Sequence, residues 1–203
     1  MNSSMPDAFI IEFNTRKYDF REWACSVLGM QDIENIHERP DIKRLGPMHV
    51  VRQIEIGRKA LANDFSTIEP LYDDFVHSII SPIFGGIVSF QTPPSFRLHY
   101  SRKGSSSFHR DRDYGVQSGR LNLWIPLTKV WGSNSIWIES EDGKEDYTPA
   151  KLSYGQALIF DGANLHHGSK WNLTKSSRVS FDLRFAPCHQ FPDANSTIRY
   201  LNP

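Results

Sequence analysis

The segment "RVSFDLRF", residues 178 to 185, alternates polar and apolar side chains without interruption. Arg178, Ser180, Asp182 and Arg184 fall on one face, and Val179, Phe181, Leu183 and Phe185 on the other. A helix would mix these sets around its circumference, whereas a strand sends successive side chains to opposite faces of a sheet. The same period of two sets Phe96, Leu98 and Tyr100 against Arg97, His99 and Ser101. It sets Leu121, Leu123, Ile125 and Leu127 against Asn122, Trp124 and Pro126, and Ile136 and Ile138 against Ser135, Trp137 and Glu139. Short strands broken by "PP", "YG", "EDG" and "DG" predict a mainly β fold, a sandwich or barrel. The 5 Trp, 7 Tyr and 13 Phe of the chain suit the pleated, half-buried surfaces of such a fold.

The first half reads differently. "DFREWACSVLG" predicts a short helix with Asp19 as N-cap, Glu22 completing a capping box and Gly29 as the stop. Residues 68–83, "IEPLYDDFVHSIISPI", carry apolar residues at the 3.6-residue period, with Pro70 in the first turn and Gly85-Gly86 as terminator. His77 in that stretch reads as a structural or surface histidine. The 203 residues suit a single domain. Residues 1–86 form a helical support packed outside the major sheet, 87–187 the β core, and 188–203 a tail.

Composition narrows the function. The 23 basic residues balance 23 acidic ones, which argues against a nucleic-acid or anionic-membrane partner. Cys25 and Cys188 stand far apart in no metal-like spacing and read as reduced thiols, so a cytoplasmic setting is expected. The start "MNSSMPDAF" has neither a basic nor an apolar signal region, and no apolar run approaches the ~18 residues of a membrane span. Without a secretory signal, the "NLT" sequon at Asn172 is expected to stay unmodified. A monomer or homodimer is expected.

The second face of the strands carries the chemistry. A solvated sheet face usually reads Lys, Glu and Thr; here Arg97, His99, Asn122, Trp124 and Arg178 converge, which predicts a lined cavity. "SSFHRDRDYG" puts His109 and Asp111 two positions apart before a turn, and "LHHG" supplies His167 58 residues on. Two imidazoles and one carboxylate on one octahedral face leave three positions open, the pattern of non-haem Fe(II) oxygen chemistry. Zinc with the same donors is an alternative that typically leaves one open position. On residues alone, His166 competes with His167 and Asp113 with Asp111. Arg178, eleven residues after His167, adds a planar fork suited to a carboxylate. Iron with a distal arginine is what 2-oxoglutarate requires. Arg184 shares that face but stands about 20 Å further along the strand, away from any such clamp.

"FHRD", "LNLWIPLTKVWGSNSIWIES", "LHHGSKWN" and the arginine eleven past the histidine together resemble the phytanoyl-CoA dioxygenase-type Fe(II)/2-oxoglutarate oxygenases. "FHRDRDYG", "YGQALIFDGANLHHG" and "SRVSFDLRF" are most similar to the streptomycin- and aminoglycoside-biosynthesis type. The resemblance covers about Phe96 to Phe185. It implies a double-stranded β-helix (a cupin-like jelly roll) with iron at its mouth, and O2 as oxidant. It implies His109, Asp111 and His167 as ligands, Arg178 on the C5 carboxylate of 2-oxoglutarate, His99 and Asn122 as further co-substrate contacts, and Ser180 as support for Arg178. The chain departs from the family pattern at Asn134-Ser135, where Asn-Gly is usual, and at His166. The implied reaction is hydroxylation, desaturation or ring closure at a C–H bond of a polar small molecule in a biosynthetic pathway. Succinate and CO2 are its co-products. The rival reading is a non-oxidising cupin-like isomerase or sugar-binding module. Arg102, Lys103, Arg110 and Arg112 read as a solvated rim rather than an anion site. Trp131, Trp137 and Trp171 are candidates for stacking on a sugar or for filling the core.

Overall fold

The computed structural model describes residues 8–44, 55–104 and 106–189, and the backbone alone at 199–200. The first described residues, within the stretch expected to be helical, form a strand, β1 (Ala8–Glu12). Helices α1 (Phe20–Leu28), α2 (Pro40–Lys43), α3 (Ile56–Asp64) and α4 (Glu69–Phe75) follow. The remaining strands are β2 (Ile87–Phe90), β3 (Ser95–His99), β4 (Leu121–Pro126), β5 (Trp137–Ile138), β6 (Thr148–Pro149), β7 (Gln156–Phe160), β8 (His167–Gly168), β9 (Arg178–Pro187) and β10 (Arg199–Tyr200). No described helix is long and apolar enough to cross a membrane.

Two local expectations fail for identifiable reasons. Asp19 sits at the N-cap of α1, but its side chain makes no capping bond, so no capping box forms with Glu22. Its backbone (φ −87°, ψ 40°) is not the extended geometry that aims a cap oxygen at the first-turn amides. The C-terminus behaves as read: Gly29 turns left-handed (φ 64°), and Met30 N–H bonds the Cys25 carbonyl at 3.0 Å. The single helix expected over 68–83 is instead α4, a π-helical turn Val76–Ile80 and a 3₁₀ turn Ser81–Phe84. Pro82 has no N–H for the Ser78 carbonyl and its ring crowds that oxygen. The helix widens before it and tightens after it. The apolar stripe survives, because Tyr72, Phe75, Val76, Ile80 and Phe84 are all buried.

Alternation along the strands builds two faces. Leu121, Leu123 and Ile125 of β4, Ala157 and Ile159 of β7, and Val179, Phe181, Leu183 and Phe185 of β9 join one large core with α1, α3 and α4. The helices therefore cover the outer face of the major sheet, whose order is β10-β1-β7-β4-β9-β2, with β3 sharing the β2 edge of β9. Trp124, Leu158 and Phe160 face the other way, in a second cluster with Val130, Ile138, Leu152 and Leu165. That cluster lies against the minor sheet, β6-β5-β8. All the pairings are antiparallel, and the two sheets face each other as a double-stranded β-helix.

Aromatic packing joins helices to sheet. Phe20 of α1 meets Phe75 of α4 and Phe181 of β9 edge-on, at 5.5 and 5.3 Å between ring centres. Phe20→Ala should cost about 3–5 kcal/mol of stability in urea unfolding. Leu173→Ala, 67% exposed, should stay within about 0.5 kcal/mol. Equal losses from the two would contradict this account of the core.

Candidate active site

His109 and His167 meet through the backbone. Each donates its N–H to the other's carbonyl at 2.9 Å, an isolated antiparallel bridge that brings residues far apart in sequence side by side. Gly168 makes the approach possible, because a Cβ there would lie 2.7 Å from Phe108 Cα. Asp111 opens the 3₁₀ turn Asp111–Tyr114, which ends at left-handed Gly115 (φ 83°), the bend expected from "DYG". Its N–H bonds the Gly162 carbonyl at 2.8 Å, so the turn is tied to the segment after β7.

The result is a compact donor set. One ligand atom from each of His109, Asp111 and His167 lies within 4.8 Å of the others. Both histidines spend Nδ1 on a backbone carbonyl, His109 on Ser107 and His167 on Leu165, each at 2.9 Å. That fixes the proton on Nδ1 and leaves the Nε2 lone pairs free, the arrangement common to metal-bound histidines. The two Nε2 atoms lie 3.6 and 4.0 Å from Asp111 Oδ1. Burial pushes the Asp111 carboxyl up. The adjacent His109 ring and hydrogen bonds from Arg184 and Asn122 outweigh that and hold it well below the usual carboxylate range. Burial pushes the His167 imidazole down, which keeps it neutral and able to ligate. The neighbouring Asp111 carboxylate raises the His109 pKa, favouring a proton that a metal ion on Nε2 would displace. Two imidazoles presenting Nε2 and an ionised carboxylate fit a divalent first-row metal.

Among the competing residues, His166 faces away, its backbone N–H on Glu139 and its ring against Tyr147. Asp113 accepts the Arg110 N–H at the surface. Neither belongs to the donor set.

The triad opens into a cavity of about 280 Å³ lined on the major-sheet side by Arg97, Asn122, Trp124, Arg178, Asp182 and Arg184. Arg178 is 4% exposed, and its polar contacts are neutral: the Asn134 carbonyl at 3.2 Å and the Ser169 hydroxyl at 3.3 Å. Among the described residues its Nε has no hydrogen-bond partner. Burial and the neighbouring Arg97 charge lower its pKa to about 9. The Asp182 charge offsets this only in part, and among the described residues no carboxylate pairs with Arg178 directly; a carboxylate entering the cavity would both pair with it and fill its open donor. The residues present therefore fit a metal at one end and an anion at the other.

Asn122 lines the cavity, but its Nδ2 donates to Asp111 Oδ2 at 2.8 Å. His99 lies opposite Arg178 in the strand register, outside the cavity lining, with Nε2 3.2 Å from the Lys103 carbonyl. Burial and the Arg178 charge lower its pKa to about 3. The Ser180 hydroxyl accepts the Trp124 indole N–H at 3.2 Å, and that indole faces the Arg178 guanidinium at 5.6 Å. Trp131, Trp137 and Trp171 do not line the cavity; Lys170 covers Trp137 at 3.5 Å. Arg110 and Arg112 share Asp142 at the surface, as a rim would. Asn172 is buried and hydrogen-bonded to the His99 and Ser176 carbonyls, which closes the sequon to modification.

Arg184, expected to lie along the strand away from the Arg178 clamp, does so but reaches the metal end of the site. Its Nε and Nη2 grip Asp111 Oδ2 and Oδ1, both at 2.8 Å. The strand face was legible, but not that Asp111 would be delivered to its far end. Arg97 forms a second fork with Asp182, at 2.7 and 3.2 Å, on the cavity wall.

His109→Ala, Asp111→Ala and His167→Ala should each abolish retention of a divalent metal in equilibrium dialysis, while His166→Ala retains it. Gly168→Ala should weaken retention by forcing the two histidine strands apart. Equal loss for His166→Ala would contradict the donor set.

No family model matches the chain. It is 35% identical over 195 residues to the streptomycin biosynthesis protein StrG of Streptomyces griseus, covering 95% of this chain and 92% of that one. It is 29% identical over 128 residues to the Fe(II)/2-oxoglutarate-dependent dioxygenase nvfF of Aspergillus novofumigatus, covering 55% of this chain and 42% of that protein. Among solved structures, EctD from S. alaskensis with bound Fe superposes with a TM-score of 0.58 at 16% identity, covering 89% of this chain and 73% of EctD. EctD with 2-oxoglutarate and 5-hydroxyectoine gives the same TM-score and identity, covering 89% of this chain and 72% of EctD. Those structural likenesses carry the jelly-roll fold. The near full-length identity to StrG carries the family: the chain belongs to the StrG family, within the Fe(II)/2-oxoglutarate-dependent oxygenases.

Proposed function

We propose that this protein oxidises a C–H bond of a polar small molecule in a biosynthetic pathway, with His109, Asp111 and His167 holding Fe(II) and Arg178 holding 2-oxoglutarate. The observation that carries the reading is one cavity with a three-donor metal face at one end and an unpaired, buried guanidinium in its wall. When bound, Fe(II) with 2-oxoglutarate and O2 supplies the power to break an unactivated C–H bond, leaving succinate and CO2.

The chain's own residues set the conditions. The Arg178 fork, backed by Trp124 and Ser169, orients the C5 carboxylate. Trp124, Ile136 and Phe160 supply apolar wall that excludes water, while the Arg97–Asp182 fork offers donors and acceptors to a polar substrate. A biosynthetic small molecule is the substrate class in keeping with StrG's part in streptomycin biosynthesis. A non-oxidising cupin-like isomerase or sugar-binding module would need the metal face but not Arg178.

Arg178→Ala should weaken 2-oxoglutarate binding to the Fe(II) form, measured anaerobically by calorimetry, by about 2–5 kcal/mol. That is roughly 30- to 5,000-fold. Arg178→Lys should recover part of the loss, because an ammonium lacks the two-pronged geometry. Iron binding should survive both changes. Arg112→Ala, a surface ion-pair partner, is the control. Unchanged co-substrate binding in Arg178→Ala would contradict the proposal.

A further inference from the structure

Asp111 is held more firmly than metal ligation alone requires. A carboxylate has about four lone-pair positions, two on each oxygen. Arg184 Nε and Asn122 Nδ2 both donate to Oδ2 at 2.8 Å, which fills that oxygen. Arg184 Nη2 takes one position on Oδ1 at 2.8 Å. The single position left is on Oδ1, the oxygen nearest the Nε2 atoms of His109 and His167. Gly162 belongs to the same device. Its carbonyl holds the Asp111 N–H, and a Cβ at Gly162 would lie 2.3 Å from Asn122 Nδ2, where Asn122 must pass to reach Asp111.

We propose that Arg184 and Asn122, seated by Gly162, are positioning residues that restrict Asp111 to one-oxygen ligation. They thereby keep open the coordination position that dioxygen needs. The inference rests on the Fe(II)/2-oxoglutarate reading above. Three protein donors and a two-point co-substrate leave one octahedral position. A carboxylate free to turn would bring its second oxygen onto the metal and fill it. Arg184 acts by occupying that second oxygen, not by touching the substrate. Its fork matters as well as its charge, since both carboxylate oxygens are engaged at equal distance.

The test separates metal binding from access to the last position. Nitric oxide, a stand-in for dioxygen, is titrated anaerobically into the Fe(II)·2-oxoglutarate protein and followed by electron paramagnetic resonance; Fe(II) affinity is measured in parallel. Arg184→Gln and Asn122→Ala should each weaken nitric oxide binding by at least tenfold, more than they weaken Fe(II) binding. Arg184→Lys, with one donor nitrogen in place of two, should fall between Arg184→Gln and the unsubstituted chain. Gly162→Ala should reproduce Asn122→Ala, and the double variant should be no worse than either single one, since they break the same contact. If Arg184→Gln does not fold, Asn122→Ala and Gly162→Ala carry the decision. Nitric oxide binding within twofold of the unsubstituted chain in the folded variants would overturn the inference alone. Loss of Fe(II) and nitric oxide affinity by the same factor would overturn it too, since that marks a merely structural role. Failure of the unsubstituted chain to bind Fe(II) and 2-oxoglutarate would instead overturn the function from which the inference starts.

Discussion

The antiparallel pairing of β9 is the constraint on which the rest of this structure depends. Its ten residues bond to β4 along one edge and to β2 and β3 along the other. That pairing satisfies the strand's backbone and fixes which way every side chain points. Val179, Phe181, Leu183 and Phe185 are driven into the aromatic core under the helices. Arg178, Asp182 and Arg184 are thereby forced into the cavity. A one-residue slip would exchange the two sets, burying two arginines among phenylalanines. The burial of the apolar face thus also holds the charged face in place.

Charge in that cavity is arranged by pairing. Arg184 is bound to Asp111 and Arg97 to Asp182, each through two nitrogens. Arg178 is the exception, backed among the described residues by the Asn134 carbonyl, the Ser169 hydroxyl and the face of Trp124. Buried charges are retained where they meet a partner, and the two satisfied forks make the third stand out. The polar asymmetry of the site, a donor triad at one end and an unpaired guanidinium at the other, follows from which residues of β9 the rest of the chain reaches.

Much of this was legible in the sequence, because period-two alternation is enforced by the pleat itself. It exposed β3, β4 and β9 and the inward residues Arg97, Asn122, Trp124 and Arg178. The helical stripe over 68–83 was legible as a buried face but not as a broken helix, since Pro82 acts on hydrogen bonding rather than on hydropathy. β1 was missed because five residues, "AFIIE", give too short a pattern, and its place beside β7 comes from partners more than 140 residues away. The same limit applies to the site. The spacing of His109, Asp111, His167 and Arg178 could be read along the chain. The roles of Arg184 and Asn122 on Asp111 could not, because both contacts cross between segments that only the fold brings together.

The central claim is that one cavity holds Fe(II) on the triad and 2-oxoglutarate between that metal and Arg178. The visible spectrum of the full chain with Fe(II) and 2-oxoglutarate under anaerobic conditions tests it most directly. A two-point keto-acid chelate on Fe(II) gives a weak charge-transfer band. The account predicts this band for the unsubstituted chain, its absence with Zn(II), and its absence in His167→Ala. Fe(II) and 2-oxoglutarate both bound without the band, or the band persisting in His167→Ala, would contradict it.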